Sequence, residues 1–159
     1  MFKKFVLFPI AALAFALVLS ACDKKEESAV APAEQAPEVV TLPAPGSDAK
    51  AWQKYLAAVV MQNMQGVKTN RPYMYFVPEG AGAEIDRSNQ LENVKTTVAR
   101  GVLPGNMLAF GGPDSSLTAN MVVDSFAEAG AGTFKDVTVL FVGAAVDRDR
   151  VEQALTTTG

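Results

Sequence analysis

Met107-Leu108-Ala109-Phe110-Gly111-Gly112-Pro113-Asp114-Ser115-Ser116 carries the reading of the fold. It opens on an apolar run, passes through glycine and proline, and ends on residues that start helices. Two other apolar runs resemble its first part, Tyr73 to Val77 (YMYFV) and Val137 to Val142 (VTVLFV). None of the three alternates apolar with polar residues. Near-continuous apolar runs of this length suit strands covered on both faces, as in a parallel sheet between helix layers.

Helical patterns separate and flank these runs. From Ser47, Trp52, Tyr55, Leu56, Val59, Val60 and Met64 fall at helical spacing. Ser47 or Asp48 can cap that helix, and Gly66 can stop it. A second pattern runs from about Ser88 to Ala99, with Leu91, Val94 and Val98 inward and Gly101 after it. A third spans about Ser115 to Ala129, with Leu117, Met121, Val122 and Phe126 inward and Gly130 after it. The last, about Asp147 to Leu155, places Val151 and Leu155 on one face.

The order is therefore α-β-α-β-α-β-α. It predicts a small three-layer α-β-α domain over residues 47–159 with a three-stranded, mainly parallel sheet. Right-handed crossovers suggest strand order 2-1-3. Roughly 113 residues can bury a self-sufficient core. A thioredoxin-like topology competes, without that family's CxxC chemistry.

Composition narrows the chemistry. The 159 residues include 14 Lys+Arg and 17 Asp+Glu, a formal charge of −3, which does not suit a nucleic-acid partner. There is no His, which removes Ser-His-Asp and Cys-His nucleophile systems and His-based metal sites. One Cys excludes an intramolecular disulfide.

That Cys has a particular setting. Lys3 and Lys4 precede an apolar run from Phe5 to Leu19, which ends in Leu19-Ser20-Ala21-Cys22. The run has the length of a signal-peptide core and is short for a membrane-spanning helix. These 22 residues resemble the lipobox region of bacterial lipoprotein precursors. The resemblance implies a signal peptide over 1–21, cleavage between Ala21 and Cys22, and a diacylglyceryl thioether on Cys22. It further implies acylation, palmitate included, of the new amine. Two or three acyl chains on one residue make a durable membrane anchor where one alone is marginal. The expected location is the periplasmic side of the cell envelope. Asp23 favours inner-membrane retention in enterobacterial lipoproteins and Lys24 does not reinforce it, so both membranes stay open.

Removing residues 1–21 takes away two Lys and no acid, leaving 12 basic against 17 acidic residues, a formal −5. Residues 22–46 follow as a tether rich in Pro, Ala and Glu, with Pro32, Pro37, Pro43 and Pro45. Such composition favours extended chain, at about 3 Å per residue, with a reach of roughly 70 Å.

Ligands of open α/β sheets bind beyond the carboxyl ends of the strands. Those ends read Pro78-Glu79-Gly80-Ala81-Gly82, Gly111-Gly112-Pro113-Asp114-Ser115-Ser116 and Gly143-Ala144-Ala145-Val146-Asp147. Candidate ligand-binding residues are Glu79, Gly111, Gly112, Asp114, Ser115, Ser116 and Asp147. Glycines permit close approach of a ligand, and a helix start offers N–H groups to an anion. Capping of the third helix by Asp114 or Ser115 is the alternative. Neither GxxxxGK[ST] nor GxGxxG is present. The acids could hold a hard cation, but no calcium-loop spacing supports a metal. Ser115 or Ser116 as a nucleophile would need a Lys or carboxylate base. No cofactor and no catalytic set are expected. The leading expectation is a lipid-anchored domain that binds a protein partner in an envelope assembly. A small-ligand or anion-binding domain, and a carboxylate- or metal-dependent hydrolase or transferase, are the alternatives.

Overall fold

The computed structural model describes residues 40–159. The signal peptide over 1–21, the lipidation site Cys22 and the tether up to residue 39 lie outside the described residues. Residues 40–46 run beside the first helix, where Val40 and Pro43 line a shallow hollow with Ala51 and Tyr55.

In chain order the elements are α1 (Ala49–Gln62), β1 (Tyr73–Phe76), α2 (Glu84–Arg100), β2 (Met107–Gly111), α3 (Ser115–Phe126), β3 (Thr138–Val142) and α4 (Arg148–Leu155). A single 3-10 turn, Ala145–Asp147, leads into α4. Asp48 caps α1 by accepting from the Ala51 N–H at 2.8 Å. Helix α2 begins four residues before the predicted Ser88. Its first turn carries Glu84 and Asp86, which favour the positive end of a helix. Ile85 there is 73 % exposed, so that turn adds nothing to the apolar stripe.

The sheet is three-stranded and entirely parallel, as the α/β reading expects. Its strand order is β1-β2-β3, which corrects the expected 2-1-3. The reason lies in the prolines. Pro72 and Pro78 bracket β1 on the side that would have to bond a second neighbour, and neither can donate there. Strand β2 has no such defect, and Met107, Leu108, Ala109 and Phe110 are each 0 % exposed.

This order decides where the helices go. Successive right-handed crossovers in one direction place their helices on one face. Val94 and Val98 of α2 and Met121, Val122 and Phe126 of α3 accordingly share a core with Tyr75, Leu108 and Phe110. Stacked and edge-on rings run through it, from Tyr75 to Phe110 (5.0 Å) and from Phe126 to Phe134 (4.9 Å). The opposite face belongs to α1, whose Leu56 and Val60 cover Met107 and Ala109, with Leu140 and Val142 partly buried beside them. One helix is narrower than three strands, and Met74 on that face stays 49 % exposed.

Gly112, just after β2, passes so close to β1 that a Cβ there would lie 2.1 Å from the Val77 carbonyl oxygen. A methyl group must push the two strand ends apart. Gly112→Ala is expected to lower unfolding free energy by about 2–3 kcal/mol in urea titration. Wild-type stability in that variant would contradict this packing.

Candidate functional site

The three strand ends come to one edge of the sheet, but their candidate residues do not form one cluster. Glu79 is exposed on the loop after β1. The Gly80–Ala83 stretch that follows turns into α2, and Glu84 Oε2 there accepts the Gly82 N–H at 2.9 Å. Asp114 is the cap of α3, accepting from the Leu117 N–H at 2.9 Å. Gly111 and Gly112 are buried, and both are spent on packing. A Cβ on Gly111 would meet Leu56 at 2.8 Å. These glycines make room for the protein's own chain.

Ser115, Ser116 and Asp147 do come together. Ser115 Oγ donates to Asp147 Oδ2 at 2.5 Å and accepts from the Ala144 N–H at 2.7 Å. Arg150 donates to Asp147 Oδ1 through Nε (3.0 Å) and Nη2 (2.7 Å). Its Nη2 also reaches the Ser116 carbonyl oxygen (3.0 Å) and Oγ (3.1 Å), and its Nη1 reaches Asn120 Oδ1 (2.5 Å). The network ties the start of α3 to the start of α4. Arg150 and Asn120 had no signal of their own in the sequence, because Asp147 to Arg150 reads as alternating surface charge. The i,i+3 spacing of Asp147 and Arg150 on a helix start was the available clue.

This arrangement has definite chemical consequences. The Ser115 hydroxyl first, and then the Arg150 guanidinium, hold the Asp147 carboxyl below its ordinary range, against the opposing effect of burial. A carboxylate stabilised in this way is a weak base and a poor activator of Ser115. The serine has donated its proton and accepted an N–H, so little of it remains for an anion. Among the described residues no three acidic or Cys side chains stand close enough to share a metal ion.

Two concave features lie nearby. A crevice of about 260 Å³ runs between the β2 and β3 ends and α1, with Trp52, Tyr55, Pro113, Ser115, Val142 and Ala144 among its walls. Trp52 and Tyr55 meet edge to face at 5.7 Å. A larger groove, about 620 Å³, follows the outer side of β1. Gln53 and Leu56 of α1, Met74 and Phe76 of β1, and Asp86 and Gln90 of α2 form its walls. No family model, curated protein or solved structure matches this chain.

Because the folded state lowers the pKa of Asp147, its ionised form stabilises the fold above the ordinary carboxylate range. That contribution is lost as pH falls through the lowered folded value. Asp147→Asn should therefore melt below wild type at neutral pH, and the gap should close on acidification. Melting curves of both proteins across pH test this; a gap independent of pH would contradict it.

Proposed function

We propose that this chain is a lipoprotein of the bacterial envelope, anchored at Cys22, whose α/β domain works by binding a protein. The anchor rests on the Leu19-Ser20-Ala21-Cys22 motif behind its basic and apolar leader. The binding role rests on one observation above all. Among the described residues, the groove along β1 is a concave surface with an exposed apolar side chain on its floor, Met74 at 49 %, and Tyr73 beside it on the strand is 43 % exposed.

The polar groups at the strand ends, by contrast, largely satisfy one another. An anion would have to break the Ser115–Asp147 or Asp147–Arg150 bonds to use them. The groove asks for different chemistry. Its floor is Leu56, Met74 and Phe76, its charged wall residue is Asp86, and no Lys or Arg lines it. Glu79 stands exposed beside Pro78. An apolar partner segment flanked by Lys or Arg fits that surface.

Cys22→Ala should abolish incorporation of radiolabelled palmitate, and labelling that persists would refute the anchor. A photo-crosslinking amino acid at Met74 should yield a discrete heavier adduct in intact cells, absent when it replaces Glu128. Equal crosslinking from both positions, or saturable binding of inorganic phosphate lost in Ser115→Ala, would overturn the protein-binding reading.

A further inference from the structure

The two edges of the sheet are built differently. In β1 the Val77 N–H donates to Gly111 O, so alternate residues Tyr73 and Tyr75 also turn their backbone groups toward β2. Met74 and Phe76 turn theirs outward, and so would Pro72 and Pro78. Both prolines lack an N–H, and Phe76 O already accepts from Gln90 Nε2 at 3.3 Å. Short length, flanking prolines and a capped carbonyl are the devices by which an edge is protected from pairing.

Strand β3 is only one residue longer than β1, but it has neither flanking prolines nor a capped outward carbonyl. Thr138 N–H donates to Asn106 O, so Thr138, Leu140 and Val142 face β2, and Val139 and Phe141 turn their backbone groups outward. Among the described residues nothing bonds that outward side. The strand holds no proline and no charge, and the uncharged run continues from Val137 to Val146. A five-residue apolar edge of this kind pairs indiscriminately unless a specific strand covers it.

We infer that β3 pairs antiparallel with β3 of a second copy of this chain, about a two-fold axis at Leu140. The residues of this edge suit that occupant. The outward residues are two apart, so the axis sets Val139 opposite Phe141 of the second copy and Phe141 opposite its Val139. Each such pair exchanges two N–H···O bonds, and each is a β-branched residue against an aromatic one. No charge meets a like charge. Leu140, half-buried beside α1's core, packs on its own counterpart. The three-stranded sheet becomes six-stranded, and the apolar edge disappears into an isologous interface. This goes beyond the protein binding proposed above, which uses the opposite edge and is tested separately at Met74.

The register can be read with disulfides in the full-length protein. Leu140 and its counterpart form a non-hydrogen-bonded pair, with Cα atoms about 4.5 Å apart, within the span of a disulfide. The two Thr138 residues lie roughly 13 Å apart along the strands, beyond it. On oxidation, Leu140→Cys should give a linked species of twice the chain mass. Thr138→Cys should not, nor should the wild type with its single Cys22. Sedimentation of the wild-type protein in detergent should independently show two chains per particle, and it decides the matter if Leu140→Cys fails to fold. A single chain per particle, linkage through Thr138→Cys as readily as through Leu140→Cys, or linkage of Leu140→Cys only to a different protein would overturn the inference.

Discussion

The burial of β2 on both faces and along both edges is the constraint on which the rest of this domain depends. Met107 to Phe110 expose nothing to solvent, and their backbone groups are consumed by β1 on one side and β3 on the other. With β2 central, both crossovers step in the same direction. Helices α2 and α3 must then share a face, and α1 is left to cover the other alone. Burying four such side chains contributes several kcal/mol, at about 25 cal/mol per Å² of apolar surface.

What the strand ends can do follows from the same order. A sheet whose strand order never reverses has no topological switch point, the place where open α/β sheets part their loops into a ligand crevice. The strand ends here close on themselves instead. Gly112 lets the β2 end touch the Val77 carbonyl, and Ser115, Asp147 and Arg150 stitch the second loop to the third. Groups that looked available to a ligand serve the fold. On the α1 face, where one helix cannot span three strands, Met74 at the β1 edge stays exposed.

The element order was legible because local signals agreed with global packing. Asp48 and Asp114 both cap the helices they precede, and the three apolar runs are the three strands. The strand order was misjudged although its determinant was in plain view. Pro72 and Pro78 stand at outward-facing positions of β1, which disqualifies it as the central strand, but that parity is visible only once the register with β2 is known. The candidate site was legible in part. Ser115, Ser116 and Asp147 do meet, while Glu79 does not join them and Gly111 and Gly112 are filled by Leu56 and Val77. Spacing along the chain places residues at strand ends; it does not reveal which partner consumes each polar group. Arg150, the residue that gathers Ser116, Asn120 and Asp147, was hidden in a run of alternating charge.

Native-state hydrogen exchange at two amides tests the central position of β2 most directly. In this arrangement the Leu108 N–H is locked between strands, and the Met74 N–H faces out from a blunted edge. Leu108 should exchange only through global unfolding, and Met74 through small local openings many times faster. Protection of Met74 equal to that of Leu108 would put β1 at the centre and contradict this account.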